Sequence, residues 1–167
     1  MRLGFWPVFA GICIALAGSL AALASSANAQ GVIAERNIST SLARQIADAA
    51  MECTTNGAGL SVAVLDRTGQ VRVWIRGDGT PPHGFDLARR KAYTARTFRQ
   101  TSLDWAKRSE TANQGQRMLS DVIPLGGGVP IKVGDETIGA VGVSGSSQEG
   151  DENCAKAAIA KVADQLK

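Results

Sequence analysis

Apolar residues recur at helical spacing after Ser39: Leu42, Ile46, Ala49, Ala50 and Cys53 share one face, the signature of an amphipathic helix. Ser39 or Ser41 is placed to cap it, and Asn56-Gly57 to stop it. The pattern then changes period. Leu60 to Leu65 reads as a strand, Asp66-Arg67-Thr68-Gly69 as a hairpin turn, and Gln70 to Arg76 as a second strand. That second strand alternates, with Val71, Val73 and Ile75 on one side and Arg72, Trp74 and Arg76 on the other. Gly77 to Gly84 is a loop with two prolines. Phe85 to Arg99 returns to helical spacing, opened by Asp86, with Ala88, Ala92 and Ala95 forming a stripe of small residues. Thr101-Ser102-Leu103-Asp104 resembles a capping box for a further, polar helix ending near Gly115.

The stretch from Ile123 to Gly145, IPLGGGVPIKVGDETIGAVGVSG, sets seven glycines among strand formers such as Ile131, Val133, Ile138, Val141 and Val143. Glycine weakens a strand, so this density points to bulges or to close approach of another surface. That surface is a packed helix, a neighbouring subunit or a flat ligand. Asp151 or Asn153 then opens a last helix carrying Ala157, Ala158, Ile159, Ala160, Val162 and Leu166. The predicted order is helix, two strands, two helices, two or three strands, helix. Strands joined by short turns imply a central antiparallel sheet flanked by helices, an α/β (α+β) single domain. The first and last helices are expected on one face.

The first 29 residues fall outside this pattern. Arg2 supplies a positive start, Val8 to Leu23 is apolar, and Ala27-Asn28-Ala29 is a small-residue cleavage site. This is the layout of a secretory signal peptide, with a retained membrane anchor as the alternative. Cleavage after Ala29 leaves no anchor. It leaves a loose arm from Gln30 to Ile38 and a domain over residues 39–167, in a periplasmic or secreted setting.

Charge narrows the function little. The leader holds one of the 18 Lys and Arg residues and none of the 15 Asp and Glu, so the remainder is close to balanced and gives no case for nucleic acid. The basic residues are uneven, however: Arg89, Arg90, Lys91, Arg96 and Arg99 crowd one segment. Cys13 lies in the leader, so Cys53 and Cys154 remain as a pair. Two thiols in an exported chain favour a disulfide, with two buried free thiols as the alternative. Closing a loop of about 100 residues is worth about 4.7 kcal/mol at most on chain-entropy grounds. Antiparallel first and last helices would bring Cys53 and Cys154 together.

Few residues offer chemistry. His83 is the single histidine and stands in a Pro-Pro-His-Gly loop ahead of a helix. It is either an exposed loop side chain or an axial ligand for haem iron. Tyr93 and Met118 are weaker candidates. The Arg72-Trp74-Arg76 face is a solvated or subunit-contact surface, or a place where something flat and anionic rests, since indole stacks and guanidinium grips carboxylates. Arg89 and Arg96, seven apart on one helix face, either are solvated or hold propionates or phosphates. Glu149 and Glu152 bracket a helix start; they complement its positive end or hold a cation weakly. With one histidine there is no closed zinc site. Gly142-Val143-Ser144-Gly145-Ser146 is no nucleophile elbow. Gly126-Gly127-Gly128 lacks the lysine of a phosphate loop, and no dinucleotide-binding glycine fingerprint is present.

Four separated blocks carry a family resemblance: SVAVLDRTGQVRVWIRGDG, DLARRKAYTARTF, IPLGGGVPIKVGDETIGAVGVSG and QEGDENCAKAAI. In that order and spacing the chain resembles the GlcG/HbpS-like haem-binding family, over Ser39 to Lys167. The resemblance implies a profilin-like domain, homo-oligomers, and binding of haem or a related tetrapyrrole such as a corrinoid. By position, the family's turn corresponds to Asp66 to Gly69, its K-A-x-T-A helix to Lys91 to Ala95, and its G-G-V-P-I block to Gly127 to Ile131. Thr94 and His83 fall near where family ligands are sought.

These observations lead to an exported haem-binding protein. Haem is expected against small-residue backbone such as Gly127 and Gly128, with His83 on iron, Thr94 or Tyr93 nearby, and Arg89, Arg96 and Arg72 toward the propionates. Two other classes stay open. One is an accessory module of a periplasmic redox system, using the Arg-Trp-Arg face as a protein interface. The other is a small-molecule lyase or haem-degrading enzyme, for which no general acid and base pair is evident.

Overall fold

The computed structural model describes residues 1, 4, 31–54 and 59–167. The expected leader, apart from Met1 and Gly4, and the Asn56-Gly57 stop lie outside the described residues. Two units are separated by their contacts, Met1–Ala34 and Glu35–Lys167; everything below concerns the second.

Its elements follow the predicted order: α1 (Thr40–Met51), β1 (Ser61–Asp66), β2 (Val71–Arg76), α2 (Gly84–Phe98), α3 (Ser102–Arg108), β3 (Gly128–Val133), β4 (Glu136–Ser144) and α4 (Gln148–Ala160), with 3₁₀ turns at Gln114–Met118 and Ala163–Gln165. The four strands form one antiparallel sheet in the order β2-β1-β4-β3. Pro130 is tolerated in β3 because that strand is an edge. β1 is central and wholly buried, as its apolar run requires.

Ser39 caps α1 by accepting from the Leu42 amide. The helix closes at Met51, two residues short of Cys53. α4 starts earlier than predicted, at Gln148, because the Ser147 hydroxyl accepts from the Gly150 amide; Asp151 is therefore inside the helix. The predicted polar helix up to Gly115 is a short α3 followed by a 3₁₀ turn. The arm is held at its inner end. Ile38 is buried, and Asn37 Oδ1 accepts from the Ile38 and Arg67 amides.

α1 and α4 cover one face of the sheet, packing Ile46, Ala50, Ala155 and Ala158 on Val62, Val64, Val141 and Val143. Cys53 and Cys154 form a disulfide with their Cα atoms 5.7 Å apart, tying the chain beyond α1 to α4. α2 covers the other face, where Ala88, Ala92 and Ala95 meet Ala63, Leu65 and Ala140. This contact is unusually close. A Cβ on Gly142 would lie 2.0 Å from the Ala88 carbonyl oxygen, and one on Gly128 would lie 2.0 Å from that of Lys91. The surface that the glycine-rich hairpin admits is thus α2 of the same chain.

Candidate functional site

α2 lies over β1, β4 and β3 and leaves the outer strand β2 largely uncovered on that face. The alternation of β2 turns Val73 and Ile75 toward α1 and turns Arg72, Trp74 and Arg76 toward the uncovered side. Trp74 is 45% exposed. Its indole N–H donates to Ser61 Oγ at 3.0 Å, and its ring lies 4.4 Å from that of Phe85 in the first turn of α2. β2 and the flank of α2 therefore make an open ledge, with Trp74 as floor and Phe85 as wall. His83, the residue preceding α2, stands at its end. It is exposed, and its side chain makes no capping hydrogen bond.

The arginines around the ledge are partly committed. Arg72 Nε donates to Asp66 Oδ2 at 2.9 Å, and Arg76 donates one N–H to the Thr80 carbonyl at 2.8 Å. Arg89 reaches Asp121 at 2.8 Å and Asp86 at 3.1 Å. Burial lowers the Arg89 pKa, but these carboxylates outweigh it and hold the guanidinium above its ordinary value. Asp66 shows the same balance with opposite sign. Burial raises its pKa, and the Thr68 hydroxyl, the Gln70 and Thr68 amides and Arg72 together bring it below the usual value.

Other expected residues are placed elsewhere. Thr94 is buried; its hydroxyl donates to the Arg90 carbonyl at 2.9 Å and accepts from the Ile123 amide at 2.9 Å, so it presents no free oxygen to a ligand. Tyr93 is half-buried against Gly69. Gly127 and Gly128 lie beneath α2 with no room for a porphyrin between them and Lys91. That corrects the expectation of haem against their backbone. Glu149 is exposed, while Glu152 is buried with one oxygen taken by Lys156 at 2.7 Å. Among the described residues no cluster of three or more His, Cys, Asp or Glu is placed to hold a metal ion.

Arg96 is not part of the ledge's His83 end. It comes thirteen positions after His83 along α2, roughly 20 Å of helix rise, farther than a porphyrin's iron stands from its propionates. Its Nε donates to the Arg67 carbonyl at 2.6 Å. There it lines a separate cleft of about 130 Å³ with Arg67, Arg99, Asp135, Glu136 and Thr137. Burial, then the guanidinium groups of Arg67 and Arg99, pull the Arg96 pKa below its ordinary value.

One polar pair escaped the sequence. Lys91, which the sequence places in a basic segment and at the start of the K-A-x-T-A helix, is buried and donates to Asp151 Oδ2 and to the Val143 carbonyl. Sixty residues separate the partners, and no local pattern joins them. The visible sign was a lysine on the same helix side as Ala88, Ala92 and Ala95.

A family model for haem degrading protein HbpS-like matches residues 38–160. The chain belongs to the HbpS-like family. Solved HbpS-like structures share the fold. The crystal structure of HbpS is 32% identical, with a TM-score of 0.74 over 78% of this chain and 94% of that one. A double mutant of Streptomyces reticuli HbpS is 29% identical, with a TM-score of 0.76 over 93% and 99%. The complex of PduOC with haem is 25% identical, with a TM-score of 0.67 over 74% and 94%. Among curated proteins none matches this sequence.

Proposed function

We propose that this protein binds haem on the ledge between β2 and the flank of α2, as an exported carrier or sensor of haem. Membership of the HbpS-like family and the likeness to a haem complex support the ligand. The observation that carries the location is Trp74, a large aromatic left 45% exposed beside Phe85 and between two arginines. Indole supplies a flat stacking surface, and the N–H groups that Arg72 and Arg76 do not use internally supply cationic partners for propionates. His83 stands free at the end of the ledge as the iron ligand. Haem bound there would supply its iron and its flat apolar face; the chain's part is to stack, orient and neutralise.

The ledge is one-sided, so a second copy of the chain closes it, which makes the protein a homo-oligomer. Export follows from the leader pattern of residues 1–29 and agrees with a disulfide, which persists in oxidising compartments.

The test is titration of the purified protein with hemin, read by the Soret band. A saturable band that weakens in Trp74→Ala and changes position in His83→Ala supports the reading. Binding indifferent to Trp74→Ala removes the ledge, and binding unchanged in His83→Ala removes the ligand assignment. A cobalamin titration separates haem from a corrinoid. Addition of ascorbate or peroxide to the loaded protein separates a carrier, which keeps the band, from an enzyme, which loses it and releases iron.

A further inference from the structure

The cleft between the β1–β2 turn, the end of α2 and the start of β4 has its own chemistry. Three guanidinium groups, Arg67, Arg96 and Arg99, converge on it with Asp135, Glu136 and Thr137. Arg67 is consumed by Glu35 at 3.1 Å and by Glu136, and Glu136 is also held by Arg36 at 2.6 Å. That internal network leaves Arg96 and Arg99 facing the single carboxylate of Asp135, an excess of one positive charge. Cations near the end of a helix often serve its own carbonyls. Arg96 does not, since its Nε bonds the Arg67 carbonyl in another element.

A second observation lies in the same wall. Thr137 is 5% exposed, and its Oγ1 is buried with no hydrogen-bond partner, although buried hydroxyls are ordinarily satisfied. Thr137 thus closes the inner wall of the cleft behind the guanidinium groups of Arg96 and Arg99, which share the one carboxylate of Asp135. The volume of about 130 Å³ equals that of about four waters at roughly 30 Å³ each.

We infer that this cleft is a binding site for a small monocarboxylate, whose oxygens take the free N–H groups of Arg96 and Arg99. The net charge of the lining selects one negative charge over two. The planar guanidinium groups suit a carboxylate, which they hold by paired hydrogen bonds. The site stands about 20 Å along α2 from His83 and does not depend on the haem reading.

The experiment is titration of the ¹⁵N-labelled protein with sodium acetate at constant ionic strength, with sodium chloride as control. The Arg96 and Arg99 Nε–H signals and the Thr137 amide are followed. Saturable shifts with acetate and none with chloride are expected. Arg99→Gln on the surface should weaken acetate binding about tenfold, the loss of one charge-assisted contact. Asp135→Asn should tighten it by removing the competing carboxylate. Thr137→Val, which changes only a buried atom of the wall, should leave acetate binding near that of the parent. Non-saturating shifts, or acetate binding by Arg99→Gln equal to that of the parent, would overturn the inference. Hemin and its dimethyl ester distinguish the source of the carboxylate. Displacement of acetate by hemin but not by the ester assigns the site to a propionate; failure of both to displace it assigns the site to a free carboxylate.

Discussion

Lys91 Nζ lies 2.7 Å from Asp151 Oδ2, and the two side chains are only 5% and 1% exposed. The pair joins helices that lie on opposite faces of the sheet, α2 and α4. Gly127 makes it possible: a Cβ there would stand 2.8 Å from Asp151 Cβ and 3.1 Å from Lys91 Cδ. Asp151 also accepts from the Ser146 amide through its other oxygen, and Lys91 also donates to the Val143 carbonyl. Each charge is therefore both paired and hydrogen-bonded.

Removal of one partner leaves the other charged and buried. Lys91→Met is expected to destabilise the protein by about 3–5 kcal/mol. Adding Asp151→Asn should recover much of that, since the amide oxygen can still accept from Ser146. Urea unfolding of the single and double variants checks this; a single variant within about 1 kcal/mol of the parent would contradict the pair's role.

The contact of α2 with the sheet sets a second expectation. Gly142→Ala drives a methyl group into the α2 backbone at Ala88 and Ala92 and should lose about 1–3 kcal/mol or more. Gly115→Ala meets nothing within 4 Å and should stay within about 0.5 kcal/mol of the parent. Thermal midpoints of the two variants make the comparison, and equal midpoints would refute the close approach.

The disulfide closes a separation of 101 residues. Cys53→Ser with Cys154→Ser should lower stability by about 2–5 kcal/mol without changing the element order. Unfolding of the parent with and without reductant measures the same quantity, and identical midpoints would show that the bridge contributes nothing.

Acid sensitivity follows from Asp66. Its folded pKa is below the ordinary 3.8, so its ionised form favours folding. That contribution is fully present above 3.8 and is lost as pH falls through the lower folded value. Thr68→Val removes one of the stabilising hydrogen bonds and should raise the acid-unfolding midpoint. Circular dichroism between neutral pH and pH 2 reads this; an unchanged midpoint would separate the acid transition from Asp66.

Trp74 and Trp105 are easily told apart: one is half exposed, the other fully buried and stacked on Phe98. Hemin should quench the fluorescence that Trp74→Ala removes and leave the Trp105 component less affected. Equal quenching of parent and variant would place haem elsewhere.

Much of the architecture was legible locally. The alternation of β2 separated Val73 and Ile75, which pack on the core, from Arg72, Trp74 and Arg76, although Val71 at the strand's start is 40% exposed; the spacing of Leu42 to Ala50 foretold α1. Cys53 and Cys154 pointed to each other once their helices were taken as neighbours. The site was less legible. Thr94 looked like a possible ligand because a threonine on a helix does not reveal that its hydroxyl bridges Arg90 and Ile123. Arg96 and Arg89 share a helix face, yet their partners differ, one a turn carbonyl and the other two carboxylates. The glycines of 126–145 announced close approach without naming the partner.

Chain order and side-chain period, by themselves, determined the helices, the strands and the β1–β2 and β3–β4 hairpins, because these depend on neighbours within a few residues; the pairing of β1 with β4, Ser61 opposite Ser144, is tertiary. Tertiary packing alone decided that α2 sits on Gly128 and Gly142, that Lys91 meets Asp151, and that Arg67, Arg96 and Arg99 crowd one cleft. Those contacts join residues tens of positions apart, where burial and Coulomb interactions act through space and leave no trace in local periodicity.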